Sequence, residues 1–504
     1  MEFSHSGGSI YYRYQASFAY DRYRRTLCCA GPRANEIRGH WGSLHTRLPT
    51  YDETRMNYGP VVLINELGPG LSGLKLYTLY RDSTPPFGVG IVLDNPKPTE
   101  ASVTKNDFEE LFVQLMLRQV NFGLSQPSVL SIPPGDRESA AEKIVSLFDS
   151  SLRYQGNNDR WAASGRRYFT ERVRYFTSQG RSVEFCLPAF PCKSSNTHKV
   201  TGEDPDRGEE LALERLNEFV EGIEKVYAPG AKLWVVSDGH VFSDCVGVDD
   251  QTVDSYGRKL HQINHDIGLK RGTTDRVGFK SIVDLFELDR LQTWFKASQL
   301  DMPTIDHHIK TQLAAESEMS RRILMAGCRS HSSTLRNQIE SQNPAILALY
   351  RGFSRFMLED LKFNRSTCSK SRSGQKKLST KIAFEMILRN QAYSNLVEML
   401  FPNHVRLSIH AHNNAGPKFG IQLFDPERVR AVESLPPNNS PSMNSRDLLH
   451  IPTPWHNCVV EVAGHEFLYV SKAKVAREAL RTGEMTGGLR PETSQPEYPS
   501  RNRE

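Results

Sequence analysis

The feature that most restricts the fold is a strand–helix–strand–helix alternation between residues 182 and 267. Residues 182–187 alternate apolar and polar side chains and stop at Pro188, which reads as a strand. Residues 208–226 have amphipathic helical spacing, with Glu209 and Glu210 at the end where the helix dipole favours negative charge. Residues 232–237 (KLWVVS) read as a buried strand closed by the Asp238-Gly239 turn signal, and 254–267 as a second helix. Strands joined through helices pair in parallel, so this order predicts an α/β, Rossmann-like core with a largely parallel sheet flanked by helices.

Further elements extend this core. The spacing predicts a strand over 88–93, a helix over 106–121, a proline-containing connection over 125–136 and a helix over 140–152. After the alternation, 311–362 is mainly helical, 366–377 is a basic serine-rich loop, and 379–400 is a long amphipathic helix stopped at Phe401-Pro402. Strands follow over 405–410, 418–424 and 458–462, with a polar loop at 434–450. The expected organisation is a poorly ordered lead (1–55), an N-terminal extension of unassigned role (56–139), a catalytic domain with a helical insertion (140–475) and a loose C-terminal tail (476–504).

Three polar segments carry candidate chemistry. The first, Phe190-Pro-Cys-Lys-Ser-Ser-Asn-Thr-His-Lys, leaves the first strand and leads to Asp206 and the helix at 208. Ligands of open α/β sheets bind at the carboxyl ends of strands. There Lys193 and Lys199 suit an anion, Ser194, Ser195 and Asn196 supply hydrogen bonds, and Asp206 and Glu209 either cap the helix or face a ligand. The second, Ser237-Asp-Gly-His-Val-Phe-Ser-Asp, ends a buried strand. Asp238 and Asp244 suit acid–base work if burial tunes them, although Ser-Asp-Gly is equally an ordinary turn. The third joins Arg406-Leu-Ser-Ile-His410 to Lys418 and to Thr453-Pro-Trp-His456. The two-residue strand period puts Arg406, Ser408 and His410 on one face, which suits a pocket wall.

Other polar groups have blander readings. Asp249 and Asp250 read as a helix-start cap, and His307 and His308 as loop residues. Lys376, Lys377 and Lys381 form a charge run that is usually a solvated face, with a weak case for phosphate. His410, His412 and His456 are a conceivable metal set, but no carboxylate stands at ligand spacing, so no metal is expected.

Composition bounds the functional class. With 38% hydrophobic and 9% aromatic residues in 504, the chain can build a sizeable core. An excess of 63 basic over 58 acidic residues does not argue for nucleic acid, and leaves room for a local basic pocket. The eight cysteines are scattered, with no CxxC pair, and fit free thiols in a reducing compartment rather than structural zinc. No run of 18 apolar residues occurs and Met1–Gln15 lacks the apolar core of a secretory signal, so the expectation is a cytoplasmic chain with neither a nucleic-acid nor a membrane partner.

Taken in order, F-P-C-K-S-S-N…K-V-x-G-x-x-P-D…G-E-E-x-A-L, S-D-G-x-V-F-S-D-x-x-G-V, R-L-S-I-H…G-P-K-F-G-I and T-P-W-H resemble the pyoverdine/dityrosine biosynthesis family, the isocyanide (isonitrile) synthases. The resemblance covers roughly 140–475. It implies an enzyme that joins the α-amine of an amino acid, tyrosine or tryptophan type, to ribulose 5-phosphate as co-substrate, with no metal or redox cofactor. A separate iron-dependent oxygenase is implied as the next enzyme. On this reading Lys193, Lys199 and Lys418 hold phosphate or sugar, and Arg406 holds carboxylate or phosphate. Asp238, Asp244, His410 and His456 are the acid–base groups, and Ser194, Asn196, Asp206, Glu209, Ser237 and Ser408 complete the binding set. The alternatives are an N-formyl amino acid synthase on the same fold, a metal-dependent hydrolase, and a non-catalytic binding protein.

Overall fold

The computed structural model describes residues 134–153, 159–286, 305–328, 332–401, 404–410, 413–431, 452–461 and 466–482, with the backbone of short strands elsewhere. Its centre is a five-stranded, all-parallel sheet, so the chain is an α/β protein. In chain order the strands are β1 (Val183–Pro188), β2 (Ala231–Ser237), β3 (Val277–Ser281), β4 (Val405–Ser408) and β5 (Lys418–Gly420), and in space they lie β5-β4-β1-β2-β3. The chain thus builds outward from β1 through β2 to β3, then returns to build the other way through β4 to β5. The reversal lies between β1 and β4, the position where open α/β sheets bind ligands.

Helices α1 (Pro134–Asp149), α2 (Arg166–Thr177), α3 (Arg207–Val226), α4 (Gly239–Val246) and α5 (Asp250–Arg271) precede or interleave with the first three strands. After β3 come α6 (Ile282–Phe286), then the insertion α7 (Ala315–Cys328), α8 (Ser332–Glu340), α9 (Pro344–Phe363) and α10 (Arg372–Leu400). A second, three-stranded sheet follows β5, built from β6 (Val429–Ala431), β7 (Cys458–Glu461) and β8 (Leu468–Ser471) in the order β6-β8-β7, and α11 (Ala473–Arg481) closes the described core.

Aromatic side chains fill the space between the sheet and α1–α3. Phe148 stacks on Phe169 at 4.4 Å, and Phe419 from β5 meets Phe169 edge-on at 5.1 Å. Each such pair adds about 0.5–1.5 kcal/mol beyond its buried area. The start of α3 is a capping box: Asp206 accepts from the Gly208 N–H at 2.8 Å, and Glu209 accepts from the Asp206 N–H at 3.0 Å.

Several expected elements shift. The Asp238-Gly239 turn signal opens a helix, α4, and the residues expected as a loop at 366–377 include the first turn of α10, capped by Ser371. The strand expected over 405–410 ends at Ser408, and α11 runs across the boundary expected at 475. Toward the N-terminus, six short strands between Ile10 and Leu93 pair antiparallel by backbone, partly within the expected lead. One of them is the expected strand, Gly88–Leu93. The expected helix at 106–121 and the loop at 434–450 lie outside the described residues.

Candidate active site

A cavity of about 820 Å³ opens at the carboxyl ends of β1, β2 and β4. Its wall joins all three polar segments: Lys193 and Ser194 from the first, Asp238 from the second, and Arg406, Ser408, His410, Lys418 and His456 from the third. The fold therefore brings eight of the expected site residues to one space.

A strained turn aims the first segment. Phe190 has φ 56°, a left-handed conformation that costs a bulky residue about 1–3 kcal/mol. Ser237 holds it by donating from Oγ to the Phe190 carbonyl at 3.0 Å, and its ring packs on Trp455 at 5.1 Å. Gly239 lies against the next residue of this turn, where a Cβ would stand 2.2 Å from the Pro191 carbonyl oxygen. Only glycine permits this approach, and the approach places Asp238 beside Pro191, Cys192 and Lys193 in the cavity wall.

Asp238 follows the end of β2 and is the N-cap residue of α4, with no side-chain capping bond. Its Oδ1 is buried and lacks a hydrogen-bond partner among the described residues. Burial pushes its carboxyl up to about 6. Such a group exchanges its proton near neutral pH, as a general base or acid must. His456 sits on a short 3₁₀ turn, Pro454–His456, with its ring edge-on to Phe356 at 5.1 Å. Burial, reinforced by the Lys199 and Lys472 ammonium groups, lowers its pKa well below the usual imidazole value and keeps the ring neutral. Lys472, which the sequence reading missed, donates to the His456 carbonyl at 3.0 Å, and burial lowers it to about 8.

The third segment supplies cations. Arg406 and Lys418 stand in register on the adjacent strands β4 and β5. Both donate to the Ser394 hydroxyl, at 3.0 and 3.1 Å. His410 follows the end of β4, and its N–H donates to Ser408 Oγ at 3.2 Å.

The remaining expected residues sit elsewhere. Lys193 reaches the wall, but its ammonium is clamped by Asp206 at 2.9 Å, Glu209 at 2.7 Å and the Pro454 carbonyl at 2.9 Å. These contacts compete with a phosphate for its ammonium. Asp206 and Glu209 are committed to this clamp and to the α3 cap rather than to a ligand. Glu209 also accepts from the Tyr256 hydroxyl at 3.0 Å, and burial raises its carboxyl. Lys199 pairs with Asp360 at 2.7 Å under the Phe356 ring, and Asn196 donates to the same carboxylate at 3.1 Å. Neither lines the cavity, so both brace the wall from behind. Ser237 likewise holds the Phe190 turn.

Asp244 is placed apart from the other acid–base candidates. It faces away from the cavity and takes a bidentate pair from Arg389 at 2.5 and 2.9 Å, with His307 at 2.7 Å. These partners hold its carboxyl well below the usual range against the opposing effect of burial. Asp250, expected as a cap, forms the matching pair with Arg321 at 2.9 and 3.0 Å. The two buried pairs fasten α7 and α10 to α4 and α5, behind Asp238.

The insertion supplies wall residues that the sequence reading missed. Ala345, Ala348, Leu349, Gly352, Phe353 and Phe356 line the cavity from one face of α9, and Met386, Asn390, Tyr393 and Ser394 from one face of α10. Their three- and four-residue spacing was visible as a helical stripe, and the polar pair Asn390 and Ser394, one turn apart, was the available signal. Among the described residues no cluster of three or more His, Cys, Asp or Glu is placed to hold a metal, and His412 lies outside them.

These features define an α/β protein with a ligand cavity at the switch point of its sheet. Residues 173–483 match the family model described as pyoverdine/dityrosine biosynthesis protein, and the chain belongs to this family. It is 45% identical over 384 residues to the spore wall maturation protein DIT1 of Saccharomyces cerevisiae, covering 76% of this chain and 70% of that one. It is 30% identical to the L-tryptophan isonitrile synthase AmbI2 of Fischerella ambigua, over 60% of this chain and 75% of that one. An L-tyrosine isonitrile synthase of Xenorhabdus nematophila is 32% identical, over 50% and 67%. The crystal structure of PvcA from Pseudomonas aeruginosa superposes with a TM-score of 0.55 at 25% identity, covering 72% of this chain and 99% of that one.

Proposed function

We propose that this protein is an isocyanide synthase acting on an aromatic amino acid, with ribulose 5-phosphate as the carbon source. The observation that carries the proposal is the composition of one cavity: paired cations at Arg406 and Lys418, an apolar wall including Leu349, Phe353, Phe356 and Met386, and a carboxyl raised to about 6 at Asp238. The apolar wall suits a large side chain, and the cations suit a carboxylate or phosphate.

In the reaction, the amino acid's α-amine attacks the sugar ketone. The carbonyl oxygen leaves as water, with two protons from the amine, and an imine forms. Breaking both carbon–carbon bonds of the former ketone carbon then releases the remaining sugar carbons and the phosphate, and leaves that one carbon on nitrogen. Asp238 takes and returns protons at nitrogen and carbon, the neutral His456 ring and the His410 side chain accept or relay them, and Arg406, Lys418 and Ser394 hold the anion. No metal or redox cofactor takes part, and a separate oxygenase consumes the product.

A second reading is an N-formyl amino acid, which is a hydrated isocyanide; the description of the family covers dityrosine as well as pyoverdine biosynthesis. Incubating the protein with single amino acids and ribulose 5-phosphate, then recording fresh product masses, tests both readings. An isocyanide and a formamide differ by one water. Failure of every amino acid to consume the sugar phosphate rejects both.

A further inference from the structure

Residues 362–381 join α9 to α10 and form the first turns of α10. They contain Lys362, Arg365, Lys370, Arg372, Lys376, Lys377 and Lys381 and no acidic residue, which exceeds the whole chain's excess of 63 basic over 58 acidic. All seven are exposed, and none forms an ion pair with a described residue. The first turn of α10 has no acidic residue, although the positive end of a helix dipole disfavours cations there. Folding alone gives no reason to gather uncompensated charge at this place.

The same segment carries an exposed apolar side chain. Phe363 is 37% exposed and, with Leu269, is one of two exposed large hydrophobic side chains among the described residues. Its ring stacks on His198 at 3.7 Å, and the His198 carbonyl accepts from the main chain of exposed Lys474 at 3.0 Å.

We infer that this face docks the protein on an anionic phospholipid surface. Long, flexible cations beside a partly exposed phenyl ring match headgroup phosphates over an acyl boundary. Cations alone would serve the phosphates of a nucleic acid as well; the exposed phenyl ring beside them is what favours a lipid surface. The expectation of no membrane partner rested on the lack of an apolar span. It does not bear on peripheral docking, and no described helix is long and apolar enough to cross a membrane. Ser366, Ser369, Ser371 and Ser373 lie among the cations, so phosphorylation there would cancel the charge and release the protein.

The test is sedimentation of the full chain with phosphatidylcholine vesicles, with and without phosphatidylserine. Binding is expected only with phosphatidylserine and is lost in high salt. The triple variant Lys376→Glu, Lys377→Glu, Lys381→Glu lowers partitioning roughly a hundredfold or more, at about fivefold per neutralised charge. Its circular dichroism and turnover stay at parental values, and Phe363→Ala weakens binding without changing the salt dependence. Equal sedimentation with neutral vesicles overturns the inference. So does an absence of sedimentation, including the case in which the protein instead retards duplex DNA or an acidic polypeptide.

Discussion

Arg406 and Lys418 face each other in register across β4 and β5, and both donate to the Ser394 hydroxyl. A hydroxyl that accepts from two cations has only its own proton left to give. Ser394 is therefore set as a third donor beside two positive charges.

Lys418→Met removes one charge-assisted hydrogen bond to the anionic substrate, worth ~1.5–3 kcal/mol. Steady-state kinetics should show KM rising tenfold or more with a smaller change in kcat. Ser394→Ala should raise KM less, because it loses a neutral donor and loosens two others. Unchanged KM in both variants places the anion elsewhere.

Asp238→Asn should lower kcat by about 10²–10⁴, the usual worth of a general acid–base group. In the parent, kcat/KM should fall as pH drops through about 6, where Asp238 takes up a proton. The stability effect has the opposite direction. The folded carboxyl holds its proton to about 6 and the unfolded one only to 3.8, so ionisation above 6 disfavours the fold. Urea denaturation at pH 8 should find Asp238→Asn more stable than the parent by ~1–3 kcal/mol, a gain that vanishes below pH 4.

Asp244→Ala leaves the buried Arg389 with only the Glu385 carboxylate on its Nε and should cost up to about 3–5 kcal/mol of stability. The fold suffers first, whereas Asp238→Asn loses turnover in an intact fold. Equilibrium denaturation paired with single-turnover rates separates the two; an Asp244→Ala protein of parental stability and no turnover would restore it to the chemistry.

Gly352→Leu projects a side chain from α9 into the cavity and should disfavour aromatic amino acids relative to valine or leucine. The ratio of kcat/KM values should shift about tenfold or more, the scale on which a methylene or two discriminates in a pocket. An unchanged ratio would remove α9 from substrate selection.

The core strands β1 and β2 were legible because buried apolar runs ended in Pro188 and Asp238-Gly239 carry their own boundaries. β3 was not: Val277–Ser281 contains a glycine and a lysine and lies at the sheet edge, where four of its five residues are only partly buried. α2 was hidden because four arginines dilute its stripe of Phe169, Val173 and Phe176. At the site, Asp238, Arg406, Lys418 and His456 were legible as polar groups in otherwise apolar settings. The role of Asp244 was not, because Arg389, which decides it, lies 145 residues further on. Lys193 was ambiguous for the same reason: a lysine in a polar loop signals an anion, and the fold sets Asp206 and Glu209 against it.

The most direct test of the central proposal is a labelling experiment. The protein is incubated with unlabelled tyrosine and ribulose 5-phosphate labelled uniformly with carbon-13, and the nitrogen-containing product is weighed. The product is predicted to keep the amino nitrogen and gain one labelled carbon, as an isocyanide or its hydrated formamide. A product without label, or none with any aromatic amino acid while the protein remains folded, would contradict it.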